Sequence, residues 1–416
     1  MKGSLLRLSA CLALATLTVI WVQGPPELKA GLGLFVFIGG LWITQALHMT
    51  VTALLVPLLA AVASLMTPAQ ALSSFAHPII FLFLGGFALA AALHRHGLDR
   101  WLSLRILGLA RGRRPVAIAL LFALTAAMSM WISNTATAAM MLPLALGLLQ
   151  GDGDEGASAT AGPAEKAYVL LGVAYSASIG GMGTLVGSPP NAIAAAQAGI
   201  GFAEWLIIGV PLVVVLLPLM ALSLHWVLRP VLAGEVMISH GPPFAWTRGR
   251  CLTLVIFALT VAGWILGVPL ARLLGIAGDI DAVVAISAVV ALVATRVLEW
   301  RDLEHHVQWG VLLLFGGGLA LSAVLATSGA SAWLVDAVLE GVAGVPVWLV
   351  VLAVVAFVVM LTELVSNTAA AALLVPILIA LAPELGLETR TVAAMIAVSA
   401  SCAFMLPVAT PPNALV

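Results

Sequence analysis

Hydrophobic positions run along this chain in long blocks and not in alternation. The stretches 30–66, 115–150, 167–203 and 391–416 contain no Asp, Glu, Lys or Arg, and each exceeds the roughly 20 residues that cross a bilayer as one helix. No period of two recurs, so helices and not a barrel satisfy the backbone in lipid. The pattern predicts a first membrane helix from Lys2 and Arg7 to Val22, read as a span and not a cleaved leader because no small-x-small site follows it. A turn over Gln23–Glu27 leads to two spans within 31–66, broken near His48, and 78–93 supplies a fourth. Between Arg95 and Arg114, six arginines alternate with leucines and Trp101, the pattern of an amphipathic segment at the membrane interface.

Two blocks are interrupted by small polar residues. Ser133-Asn134-Thr135 follows Trp131 in the middle of 115–150, and Ser366-Asn367-Thr368 repeats it further on, each with a proline downstream (Pro143, Pro376). A block of roughly 36 residues is too long for one span and has no loop to separate two. Re-entrant hairpins are therefore expected at about 115–150 and 345–382, with the polar triplets at their tips, because irregular backbone at membrane depth is tolerated only under protein cover.

Two further blocks carry helix breakers. Gly180-Gly181-Met182-Gly183 and Ser188-Pro189-Pro190-Asn191 break the span 167–197, and Thr410-Pro411-Pro412-Asn413 echoes the second motif within 391–416. Prolines and clustered glycines predict discontinuous helices there. The glycine-rich run lacks a following Gly-Lys-Ser/Thr, which removes a phosphate-cradling loop. Phe83-Leu84-Gly85-Gly86 also recurs, as Leu314-Phe315-Gly316-Gly317. Ordered landmarks that recur in the same sequence define an internal repeat. The organisation expected is an N-terminal helix (1–30), a first repeat (31–230), a polar linker (231–250) and a second repeat (251–416). The first repeat has a full span at 207–228 after its Pro-Pro-Asn, so symmetry calls for one more helix after Val416.

Composition agrees: 62% of residues are hydrophobic, 8% are charged and mean hydropathy is +1.17, against about 25% charge in soluble domains. The net charge of −1 selects no partner, and Cys11, Cys251 and Cys402 are too dispersed for a metal or disulfide motif. With the N-terminus inside, the cytoplasmic side collects Lys2, Arg7, Arg95, Arg100, Arg105, Arg111, Arg113, Arg114, Lys166, Arg229, Arg248, Arg250, Arg296 and Arg301. Only Lys29, Arg272 and Arg390 of the 17 basic residues remain outside. That asymmetry supports the topology, and it makes the two repeats inverted.

A helix that begins inside the membrane presents free N–H groups and a positive dipole end. Ser, Asn and Thr cap such ends, and two of them suit a dianion. Substrate contacts are expected from the amides of Asn134 and Asn367 and the hydroxyls of Thr135 and Thr368. Cations need oxygen ligands, which unwound backbone supplies. One set is Ser129, Ser133 and Asn134 with carbonyls around Gly187; the other is Thr362, Ser366 and Asn367 with Ala409. The bland alternative is that buried Ser, Thr and Asn hold helices together; duplication with matched breaks favours the site. Glu363 has no counterpart at Met130 and is open to three readings: structural acid, cation ligand or proton carrier. Two other classes remain to be weighed. An intramembrane hydrolase built on Ser133 would lack a nearby base, and a channel would need a continuous polar pore.

WISNTATAAMMLP, SIGGMGTLVGSPPN, TELVSNTAAAALLVP and PVATPPN resemble the signature segments of the divalent anion:sodium symporter (DASS) family, and the similarity runs from Gly31 onward. The resemblance implies an all-α membrane homodimer with scaffold and transport domains. It implies an elevator motion of the transport domain, an inverted-topology repeat with two hairpins and two discontinuous helices, and location in the plasma (inner) membrane. It implies C4 dicarboxylates such as succinate, malate and fumarate as cargo, with two or more Na+ ions for coupling. The resemblance further implies that Ser133, Asn134, Thr135, Ser366, Asn367, Thr368 and Pro411 face substrate and cations. Some relatives are exchangers or take tricarboxylate or sulfate, and those remain the alternatives.

Overall fold

The computed structural model describes residues 2–149, 162–232, 244–276 and 278–416. Among the described residues the secondary structure is helical, without strands, and seven helices are long and apolar enough to cross a membrane. In chain order, α1 (Lys2–Trp21), α2 (Pro26–Thr44), α3 (Met49–Val62) and α4 (Pro68–Ser73) lead to α5 (Pro78–Arg95) and α6 (Leu98–Gly108). Next come α7 (Arg114–Ser129), α8 (Asn134–Leu149), α9 (Pro163–Gly181), α10 (Pro189–Ala198) and α11 (Phe202–Leu228). The remainder is α12 (Arg248–Ile265), α13 (Gly267–Leu274), α14 (Ile280–Ala294), α15 (Trp300–His306), α16 (Trp309–Thr327), α17 (Ala330–Gly341), α18 (Val347–Leu364), α19 (Asn367–Leu381), α20 (Thr389–Ser401) and α21 (Pro411–Leu415).

The breaks fall where the breakers sit. The arms α7 and α8 pack on each other around residues 130–133, and α18 and α19 do so around 365–366. The span expected at 167–197 is interrupted over 182–188, and the one at 391–416 over 402–410. The Arg95–Arg114 segment is more divided than expected: α6 covers only its middle, and Arg114 opens α7 with Pro115 in its first turn, where proline costs no hydrogen bond. Most of the polar loop expected at 151–166 lies outside the described residues, as does most of the linker at 231–250.

Backbone landmarks recur at the spacing of the recurring sequence motifs. Ser64 and Arg296, 232 positions apart, both take left-handed φ (55° and 59°), and Gly97 and Gly329 do the same at the same spacing (62° and 77°). Leu65 N donates to Ala60 O at 2.9 Å, and Val297 N donates to Leu292 O at 3.0 Å, one turn repeated. The short helices α4 and α15 precede α5 and α16, and each hairpin and broken span follows in the same order.

The chain packs into two compact units that do not follow the sequence order of the repeats. One comprises Met1–Phe81, Pro189–Ile200 and Gln308–Ala403; the other comprises Leu82–Ser188, Gly201–Val307 and Phe404–Val416. In the first, α16 packs on α3, and α10 packs on α19 and α20. In the second, α9 packs on α7, α8 and α11, and α21 packs on α8 and α9. Each Pro-Pro-Asn helix is thus built into the unit that holds the other repeat's hairpin. The core of the second unit includes Leu121, Phe122, Met141, Val169 and Val173.

A buried ion pair closes the base of the first hairpin, with Arg114 Nη2 2.9 Å from Glu165 Oε1 and both side chains about nine-tenths buried. Removing one partner strands the other charge, which costs about 3–5 kcal/mol, whereas an apolar pair of similar volume is close to neutral. Arg114→Ala is therefore predicted to lower the thermal midpoint sharply, and Arg114→Met with Glu165→Leu to restore most of it. Equal losses in both variants would show that charge burial is not what holds this base together.

Candidate functional site

The first tip is assembled from three elements of one unit. Ser129, at the end of α7, is fully buried and its Oγ donates to Ala177 O of α9 at 2.6 Å. Ser133 stands just before α8, and its Oγ accepts from Ala136 N at 3.4 Å, the N-cap arrangement its residue type favours. Asn134 opens α8. With its amino group toward the cluster it meets Ser129 Oγ at 2.8 Å, and Ala177 O and Gly187 O at 3.2 Å each.

The chemistry of this cluster follows from counting protons. A serine hydroxyl carries one, and the short bond to Ala177 O uses it, so Ser129 Oγ has only lone pairs left for Asn134. All three groups facing the Asn134 amide are then acceptors. Two N–H bonds can serve two of them, whereas a small cation serves all three together with the amide carbonyl. The donors are neutral oxygens, and among the described residues no group of three His, Cys, Asp or Glu side chains gathers to hold a metal. Neutral oxygen ligands of this kind suit an alkali cation more than a transition metal.

Close backbone approach makes the cluster possible. A Cβ on Gly181 would lie 2.3 Å from the nearer end of the Asn134 amide, and one on Gly187 would lie 2.6 Å from Gly181 O. The unwound segment is held by Thr184, whose Oγ1 donates to Met130 O at 2.5 Å and accepts from Gly187 N at 3.0 Å. Trp205 Nε1 donates to Met182 O at 3.0 Å from α11. Neither Thr184 nor Ala177 was legible as a participant from sequence; Thr184 lies inside the glycine-rich motif, whereas Ala177 contributes only backbone.

The second tip repeats the arrangement in the other unit. Thr362 Oγ1, fully buried, donates to Ala400 O at 2.7 Å and lies 2.8 Å from the Asn367 amide. The single hydroxyl proton forces the same choice on Asn367. Ser366 holds the N-cap position of α19 without a side-chain capping bond, and Thr368 is half-buried as Thr135 is exposed. Glu363 is buried on α18. Ala409 and Pro411 belong to the unit of the first tip, where Pro411 starts α21 against α8 and α9. Within its own unit the second tip takes its carbonyl from Ala400, which the sequence did not single out.

Among the described residues, helices of membrane-spanning length, broken spans and two polar tips are the arrangement of a membrane transporter. Residues 40–401 match the family model described as "Citrate transporter". A protein of Haemophilus influenzae named "Uncharacterized transporter" is 48% identical over 401 residues, covering 94% of this chain and 85% of its own. The sodium-dependent dicarboxylate transporter SdcS of Staphylococcus saprophyticus is 34% identical over 439 residues, with 97% and 83% covered. The chain belongs to this citrate-transporter family, within the DASS transporters. The crystal structure of the YdaH transporter of Alcanivorax borkumensis has a similar fold, with a TM-score of 0.54 at 16% identity over 83% of this chain and 78% of that one. The protein is a multi-pass membrane transporter and not an enzyme, so the Ser133 hydrolase reading falls.

Proposed function

We propose that this protein is a sodium-coupled symporter of C4 dicarboxylates of the succinate, malate and fumarate class in the plasma (inner) membrane. The observation that carries the reading is the duplicated cluster: hydroxyl, asparagine amide and backbone carbonyl meet at each tip, and at the first tip three acceptors face one amide. Na+ enters here as co-transported cargo. Ser129, Ser133, Asn134 and the Gly187 carbonyl take one ion, joined by Ala177 O; Thr362, Ser366 and Asn367 take another, joined by Ala400 O in place of Ala409, which lies in the other unit. When each asparagine turns its carbonyl to the ion, its amino group turns away and becomes a donor for a carboxylate. Asn134, Thr135 and Ser133 at the first tip, with Pro411 in the same unit, and Asn367, Thr368 and Ser366 at the second then offer donors to carboxylate groups, with the dipole ends of α8 and α19 favouring negative charge. Alternating access by an elevator motion in a homodimer of inverted repeats completes the reading. The dicarboxylate named for the SdcS relative supports it.

The test is uptake of labelled succinate into proteoliposomes under an imposed sodium gradient. Uptake should follow the gradient and stop when sodium is replaced by potassium. Uptake indifferent to sodium would reject symport and leave exchange or proton coupling. The description of the matched family favours a tricarboxylate as the second reading, and citrate outcompeting succinate in the same assay would select it. A thermal-shift panel of succinate, citrate and sulfate, each with and without sodium, reports the same ranking through ligand stabilisation.

A further inference from the structure

A cavity of about 450 Å³ lies within the second unit, bounded by the end of α5, by α6, by one face of α7 and by α12. Its volume falls in the range of about 300–1,000 Å³ common to ligand pockets. The lining is almost wholly apolar and includes Leu98, Leu102, Ala123, Ala127 and Trp131. Ala123 and Ala127 are exposed one helical turn apart on α7, so small side chains create the space. The acid at its edge, Asp99, is already engaged by His94 Nδ1 at 2.9 Å and by Arg100 N at 2.7 Å. The interior therefore offers nothing to a polar ligand and a large surface to a hydrocarbon chain.

The rim has the opposite character. Trp101 lines the cavity and stacks on Phe244 with centroids 4.8 Å apart, and Trp246 meets both rings edge-on at 5.3 and 5.4 Å. Arg105 lies over the Trp101 ring at 6.0 Å, and Arg250 lies over Phe244 at 3.9 Å. Aromatic rings interleaved with arginines mark the level of lipid headgroups. The Trp101 Nε1 atom is buried without an acceptor among the described residues, and no carboxylate pairs with Arg100 or Arg105 among them. An unspent donor and unpaired guanidinium groups at the mouth of a hydrocarbon-sized cavity call for an amphiphile with an anionic head.

We propose that this cavity is a binding site for an anionic phospholipid, with an acyl chain seated against Ala123, Ala127 and Trp131 and the phosphate at Arg105 and Trp101. Chain burial supplies the depth of binding, and the headgroup supplies the choice of lipid.

The experiment uses the full chain in nanodiscs containing phosphatidylglycerol with a diazirine near the end of one acyl chain. Irradiation and peptide mapping should place adducts on 98–131 and 254–257 above the level found on the lipid-facing surface of α11. Ala123→Phe and Ala127→Phe, tested separately on protein that remains monodisperse, should each cut the cavity adducts at least fivefold and leave those on α11 unchanged. The phosphatidylcholine analogue should label the cavity severalfold less, and Arg105→Gln should erase that difference. Cavity adducts that are absent, no denser than on α11, or insensitive to both fillings would overturn the site. Equal labelling by the two headgroups would overturn its anionic character.

Discussion

Asn134→Ala is expected to abolish sodium-driven dicarboxylate uptake, and Asn367→Ala to do the same, in protein that still folds. Each asparagine is the side chain on which its tip converges: Asn134 meets Ser129 Oγ, Ala177 O and Gly187 O, and Asn367 meets Thr362 Oγ1. Alanine removes both the carbonyl that would ligate a cation and the amino group that would hold a carboxylate. Two charge-assisted contacts of about 1.5–3 kcal/mol each amount to about a hundredfold to ten-thousandfold in affinity, at 1.4 kcal/mol per tenfold. Asn134→Asp separates the two roles, since it keeps a cation ligand, loses the donors and places a negative charge beside the dianion. Sodium stabilisation should survive in that variant while succinate stabilisation disappears. Succinate affinity retained in both alanine variants would reject the tips as the substrate site.

The second large effect is steric. Gly181→Ala puts a methyl group 2.3 Å from the nearer end of the Asn134 amide and 3.0 Å from its Cγ, so the amide must leave the cluster. Overpacking of this kind costs about 1–3 kcal/mol, and since the displaced group is the end of a side chain, most of that loss falls on the site and not on the fold. Gly187→Ala meets backbone instead, Gly181 O at 2.6 Å and Ser129 O at 3.0 Å, so the break itself must widen and stability falls as well. Both variants should weaken sodium-dependent stabilisation at least tenfold. Gly147→Ala, with nothing within 4 Å of the added carbon, should behave as the parent. Sodium affinity unchanged in Gly181→Ala would mean that Asn134 is not a ligand.

Much of the site was legible along the chain because membrane-depth sequence is so uniform that any polar residue stands out. Ser133-Asn134-Thr135 and Ser366-Asn367-Thr368 announced the two helix starts, and glycine and proline announced the two broken spans. Ser129 and Thr362 could be placed because four or five residues before a helix start is one turn back on the preceding arm. The carbonyls of Ala177 and Ala400 could not, since any residue type supplies a carbonyl and only the packing of α9 on α7, and of α20 on α18, selects which one. Thr184 and Trp205 were missed for a related reason: their partners are backbone atoms distant in sequence.

The sequence by itself determined that this is a helical membrane protein, where two helices start at polar triplets and where two spans break. Those properties are local, because they depend on the hydropathy of a window and on the dihedral limits of proline and glycine. Only the tertiary structure decided which pieces pack together. α10 joins α19 and α20, and α21 joins α8 and α9, so a division into consecutive repeats is not the division into compact units. A broken span is two half-helices with a free link between them, and each half buries its own apolar face wherever a complementary surface lies. That choice is made by packing among residues more than 160 positions apart, which no pattern read along one chain contains.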